Sequence, residues 1–241
     1  MSVTTTQAQR PMLRAWAAAG LATTLLLAAC AESAPFNYYT LSGPASTASG
    51  QAVKARPALM IEVLPSTVPQ QVQRPQLVLS TAPGQVKFME QQRWSQPVAD
   101  EISQALSQDL TRSLPAVDVY RSAHADTQAV YRIAVNVQRF ESVPGSRATL
   151  DAVWSVTLNP RDLTLTCHST VNQPVAATNL ADAGPDYPAL VTAHRLAIQQ
   201  LSTQIATVID KLGALPAGGK AAGTATAAAS PSPSIACPSA S

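Results

Sequence analysis

The chain is poor in the residues that carry charge and do chemistry. Only 12% of its 241 residues are Asp, Glu, Lys or Arg, and its three histidines, His124, His168 and His194, are scattered. No histidine stands four residues from another and no His-Glu-x-x-His run occurs, so no metal site is expected. A Gly-x-Ser-x-Gly elbow, a Walker A loop and a Gly-x-Gly-x-x-Gly turn are all missing. With these signatures absent the chain is read as a non-enzyme, and no cofactor is expected. The net charge of +2 sits entirely in Arg10 and Arg14, and past residue 29 the basic and acidic residues balance. That balance leaves no electrostatic footprint for nucleic acid. Beyond residue 30 no apolar run approaches the roughly 20 residues of a membrane helix.

What is present begins with a sorting signal. Arg10 and Arg14 supply a positive n-region, and residues 15–28 are apolar apart from Gly20, Thr23 and Thr24. This run is short for a span and has the length of a signal-peptide core. It closes on Leu27-Ala28-Ala29-Cys30, which matches the bacterial lipobox Leu-x-Ala/Gly-Cys. The match implies a diacylglycerol on the Cys30 thiol, cleavage between Ala29 and Cys30, and acylation, typically with palmitate, of the new amino terminus. The residue after the cysteine is Ala31 rather than Asp. Among bacterial lipoproteins that implies the periplasmic face of the outer membrane. The expected division is a signal peptide at 1–29, a lipidated tether at 30–35, one domain at 36–213 and a disordered Ala/Ser/Pro-rich tail at 214–241.

Within the domain, hydrophobic periodicity predicts strands over 36–41, 59–64, 76–80, 85–89, 118–120, 131–138, 149–158 and 163–171. Pro83-Gly84 and Pro144-Gly145-Ser146 mark two hairpins. Val98, Ile102, Ala105, Leu106, Leu110 and Leu114 recur at helical spacing, with Ser95 as the expected N-cap and Pro115 as the stop. A second helical stripe runs from Tyr187 to Leu212, ends at Gly213, and carries His194 as a core or boundary residue. The expected fold is α+β: a mostly antiparallel sheet with two amphipathic helices packed on one face. Cys167 falls in a strand and Cys237 in the tail. An oxidising compartment permits a disulfide between them, and the sequence leaves open whether it forms.

Four features in order resemble the PqiC/YmbA-type auxiliary lipoproteins of ABC transport systems that work with MCE-domain proteins. They are the lipobox, the Tyr38-Tyr39-Thr40-Leu41 strand, the segment from Val68 through Arg74-Pro75-Gln76 to Val78, and Arg93-Trp94-Ser95-Gln96-Pro97-Val98. Gln71 and Gln73 depart from the family, which often has Tyr and Asp there. The resemblance implies a non-enzymatic auxiliary component of an MCE-type lipid-transport system. Its implied partners are an MCE-domain protein and, through the anchor, the membrane; assembly with further copies of the chain is left open. Arg74, Gln76 and Trp94 are the implied partner-binding residues. Pro75 holds Arg74 extended, so its side chain either reaches a partner carboxylate or bonds nearby backbone carbonyls. Trp94 suits a hydrophobic cover over the following helix better than an interface anchor. The alternative is a structural or assembly lipoprotein of the envelope unrelated to transport.

The anchor is directly testable. A labelled fatty acid fed to cells should mark the wild-type chain and miss Cys30→Ala, and equal labelling of both would remove the anchor.

Overall fold

The computed structural model describes residues 35–43, 59–125, 127–176, 184–214 and 236–238. Cys30, the signal peptide and nearly all of the tether lie outside them, as do residues 215–235 and 239–241 of the tail. Among the described residues eight strands and two helices follow one another: β1 (Asn37–Tyr39), β2 (Leu59–Val63), β3 (Gln76–Ala82), β4 (Gln85–Trp94), α1 (Val98–Ser113), β5 (Ala116–Asp118), β6 (Val130–Val143), β7 (Arg147–Asn159), β8 (Leu163–Pro174) and α2 (Tyr187–Gly213).

The class is α+β, but the strands form two mixed sheets. A three-stranded sheet has the order β1-β4-β3 and a five-stranded sheet the order β5-β2-β6-β7-β8. β3–β4 and β6–β7 are antiparallel, as their turn signals predict, and β7–β8 is antiparallel too. β1 instead runs parallel to β4, and β2 runs parallel to both β5 and β6. These pairings join distant segments, so no local turn residue announces them. Gly84 and Gly145 take φ of 75° and 63° in the two hairpin turns, a region open to glycine and costly for most residues.

Alternation decides which face is buried. In β7, Leu150, Ala152, Trp154, Val156 and Leu158 point into the core while the residues between them are half-buried. β6 follows the same rule until a register shift between Val137 and Arg139. That bulge changes the phase, so Phe140 and Ser142 point inward where unbroken alternation would expose them. α2 packs on β7 and β8 and against α1, and α1 reaches β2 and β5. Ile61, Ile133 and Val156 lie beneath Ile102, Leu106, Ile198, Leu201 and Ile205 in one continuous core. Leu79 of β3 joins Ala148, Leu190 and Ala193 in a smaller cluster beside it. The opposite face of the large sheet carries ion pairs such as Arg132–Glu62 at 2.6 Å.

The helix starts differ from expectation in an instructive way. Ser95 does not cap α1; Pro97 holds the cap position and no side chain bonds there. The Ser95 hydroxyl instead donates to Glu101 Oε1 at 2.6 Å. Glu101 is fully buried, and its Oε2 accepts from the Leu41 backbone N–H at 2.7 Å and the Thr40 hydroxyl at 2.8 Å. One carboxylate in the first turns of α1 thus ties the exit of β1 to the β4–α1 connection, and the helix N-terminus favours its charge. α2 is capped by Asp186, whose side chain accepts from Ala189 N at 2.9 Å. Gly213 is the last helical residue rather than a left-handed terminator, and Ala214 caps the helix. A Cβ at position 213 would come within 2.8 Å of the Tyr131 hydroxyl, so any larger residue there makes that side chain shift.

Cys167 and Cys237 are bonded to each other, with their Cα atoms 5.6 Å apart. The described tail residues 236–238 are therefore held at β8, the outer strand of the large sheet.

Glu101→Ala leaves three donors without their acceptor, one of them a buried backbone N–H. The expected cost is about 3 kcal/mol, a fall of roughly 6–12 °C in melting temperature for a domain of this size. Asp100→Ala, an exposed carboxylate at the same helix end, should stay within about 0.5 kcal/mol. Equal effects of the two would contradict the buried network.

Candidate functional site

Between β2 and β3 the chain runs past β6 before forming a single 3-10 turn at Gln70–Val72. The approach is fixed by backbone bonds: Thr67 N donates to Val135 O at 3.1 Å, and Val137 N donates to Thr67 O at 2.9 Å. Val68 and Val72 are buried and pin the loop from beneath. The Gln73 amide donates to Val68 O at 2.9 Å and closes the loop on itself. Gln73 therefore has a local structural role, whereas Gln71 is exposed.

This loop forms one wall of a cleft of about 620 Å³. Val68, Gln73, Arg74 and Pro75 line that wall, Tyr38 of β1 and Arg93 of β4 face it, and residues 94–99 at the start of α1 form the floor. Trp94 N donates to Pro75 O at 2.7 Å, which locks the loop to the floor. The structure thus brings the sequence-predicted loop and Trp94 to one place.

The predicted residues contribute unequally. Arg74 is exposed, and among the described residues it makes no hydrogen bond and no ion pair; its guanidinium carbon lies 4.4 Å from the centre of the Phe88 ring. Bonding to local carbonyls, one of the two readings open for it, is not what holds it. Gln76 lies off the cleft, half-buried, and donates to Glu90 Oε2 at 3.1 Å. Trp94 is 5% exposed, with its ring edge-on to Phe140 at 6.0 Å. It is a cover over the core that also serves as cleft floor. Arg93, not singled out from sequence, donates to Glu90 O at 2.9 Å and stacks over Phe36 at 4.2 Å.

Behind Trp94 the packing continues into a buried histidine. Phe140 stacks on His194 with centroids 3.9 Å apart. His194 is 1% exposed, its Nε2 bonds the Ser142 hydroxyl at 2.7 Å, and its Nδ1 has no partner. Burial pushes its pKa down to about 3, so it is neutral in the fold.

Two other hollows are described. One of about 690 Å³ lies beside the β3–β4 hairpin and includes Arg139 and Arg147. Both arginines face carboxylates, Asp151 at 3.5 Å and Glu141 at 3.9 Å. The other, of about 400 Å³, includes Asp118, whose carboxylate accepts from Ser107 and from two backbone N–H groups. His168 bonds Asp151 at 2.7 Å on the solvent side of the large sheet. Among the described residues no group of three or more His, Cys, Asp or Glu is placed to hold a metal ion.

The sequence match decides the family. A family model described as the ABC-type transport auxiliary lipoprotein component matches residues 39–206, which include the loop, the cleft floor and most of α2. The chain belongs to this family. No curated protein sequence matches it. Among solved structures it is similar to one described as an uncharacterized protein, with 17% identity and a TM-score of 0.55, over 73% of this chain and 99% of that one. A Xanthomonas campestris protein of the DUF330 family aligns at 19% identity over 64% of this chain and 88% of its own, with a TM-score of 0.48. The first likeness supports the fold and nothing about activity. As a member of the auxiliary lipoprotein family, the protein is a component of an ABC-type transport system.

The buried histidine behind the floor gives this transport component a defined acid sensitivity. Below pH 6.5 the unfolded chain takes up a proton that folded His194 refuses until about pH 3, so stability is lost as pH falls through that window. At pH 4.5 the loss from this group should reach about 2–3 kcal/mol. Denaturant melts at pH 7.5 and 4.5 should show it in the wild type, and His194→Gln should lose that part of the difference. An unchanged difference in the variant would place the acid sensitivity elsewhere.

Proposed function

We propose that this auxiliary lipoprotein is a non-enzymatic adaptor for an MCE-type lipid-transport assembly. In this reading it is lipidated at Cys30, sits on the periplasmic face of the outer membrane, and meets its MCE-domain partner through the wall and floor of the cleft. The observation that carries the proposal is Arg74: an exposed cation, backed by Phe88 and without an ion pair among the described residues, on a loop that the core has fastened in place. Holding such a side chain on a pinned loop lowers the entropy cost of docking a carboxylate against it. A guanidinium backed by an aromatic ring also presents its N–H fork outward in a fixed orientation.

Within that site the residues divide the work. Arg74 supplies the charge, Trp94 keeps the floor apolar and rigid, and Gln76 acts from behind by fixing Glu90, the carboxylate that faces Arg93. The departures at Gln71 and Gln73 mean that any partner contact made elsewhere in the family by Tyr or Asp is absent here. Transport of the lipid itself, and the energy for it, would belong to other chains of the system.

Arg74→Glu should leave the melting temperature nearly unchanged and reduce co-purification with the MCE partner about tenfold, since reversing a rim charge acts on association. Trp94→Ala should instead cost about 3–5 kcal/mol of stability. Full co-purification with a folded Arg74→Glu protein would place the contact elsewhere, and recovery of no MCE protein by the wild type would overturn the lipid-transport reading.

A further inference from the structure

The end of β1 presents an aromatic pair that the fold does not use. Tyr39 turns inward, where its hydroxyl donates to Gln92 Oε1 at 2.8 Å. Its alternate neighbours Phe36 and Tyr38 turn outward, 48% and 63% exposed, with ring centroids 6.5 Å apart. Tyr38 is the most exposed large apolar side chain among the described residues. The Arg93 guanidinium lies 4.2 Å from the Phe36 ring centre, so a cation borders the pair. A single exposed apolar residue is ordinary on a protein surface. Two adjacent aromatics in a chain only 5% aromatic, flanked by an arginine, require a reason.

The covalent structure supplies one. Phe36 is six residues after Cys30, and six residues of fully extended chain reach no more than about 20 Å. We propose that Phe36, Tyr38 and Arg93 form a contact with the lipid interface to which the chain is anchored; this rests on the lipidation of Cys30 proposed above. Tyr and Phe rings have an apolar body suited to the boundary between headgroups and acyl chains, and the tyrosine hydroxyl stays in the hydrated layer. Arginine completes the same pattern by laying its stem along apolar surface and its head toward phosphate. The tether holds the pair at high effective concentration beside the bilayer, so even a weak interfacial preference keeps it seated. Tyr38 and Arg93 also border the cleft. Seating the pair on lipid places that side of the cleft against the bilayer and sets the direction in which a partner approaches.

The test uses the full lipidated chain in vesicles of phosphatidylethanolamine and phosphatidylglycerol with brominated acyl chains. Tyr38→Trp introduces an indole at the contact, and Val117→Trp introduces one at a 52% exposed position on β5 of the other sheet. The mature chain's native tryptophans, Trp94 and Trp154, are buried and provide a background measured with the wild type. Interfacial side chains lie roughly 5–10 Å into the headgroup and acyl boundary, so the indole at position 38 should be quenched by brominated lipid. It should also be protected from acrylamide about fivefold relative to position 117, as burial at that depth predicts. Equal acrylamide quenching at the two positions, in a protein that floats with the vesicles, overturns the contact and leaves the anchor standing. A wild-type chain that does not float overturns both. An indole that stays aqueous on lipid and is shielded only when the MCE partner is added also overturns the membrane contact and assigns the pair to the partner.

Discussion

A single buried carboxylate organises the part of the molecule on which the site is built. Among the described residues Glu101 has no basic partner, and three hydrogen-bond donors surround it: a backbone N–H and a hydroxyl from the exit of β1, and a hydroxyl from the β4–α1 connection. Removing a charge from water is expensive, and such a group persists in a core only when its lone pairs are occupied and the local field favours it. The first turns of α1 provide that field. The consequence is geometric. β1 has no covalent hairpin to hold it, and its parallel pairing with β4 spans only three residues. The Glu101 network adds the tertiary constraint that seats it, and with it the Tyr38 side of the cleft.

The cleft is then a by-product of how the core closes. Val68 and Val72 bury downward, Pro75 accepts from Trp94, and Trp94 rests on Phe140, which rests on His194. Each contact is structural, and together they leave one wall whose outward group, Arg74, satisfies nothing inside. A rigid support under a ring-backed cation is what a recognition surface requires, because little ordering remains to be done when a partner arrives. The family's role as an auxiliary part of a transport system fits a protein whose described site has an apolar floor and a charged rim.

Periodicity made the local elements legible. The alternation in β6 and β7 marked the inward residues correctly up to position 137, and the stripes of both helices matched their buried faces. The bulge after Val137 was not visible, because Gln138, Arg139, Phe140, Glu141 and Ser142 hold one large apolar residue and no alternation from which a change of phase could be read. The parallel pairings were not visible either, since β2 recognises β5 and β6 through register across long separations. Glu101 had a signal that periodicity alone undervalues: it stands at i+3 from Val98 and i−4 from Ala105, on the buried stripe. Ser95 was read as a cap because it stands just ahead of the helical stripe, but Pro97 holds that position and the Ser95 hydroxyl lies where it donates to Glu101. At the cleft, the loop and Trp94 were found by resemblance to a family, and Arg93 and the exposure of Phe36 and Tyr38 became apparent only when β1 was placed beside β4.

The bond between Cys167 and Cys237 joins β8 to a residue that follows all the strands and helices of the described residues in the chain. The ring it closes contains the whole of α2. A cut by a protease anywhere between α2 and Cys237 would therefore open the ring without releasing the fragment, which would stay attached through sulfur.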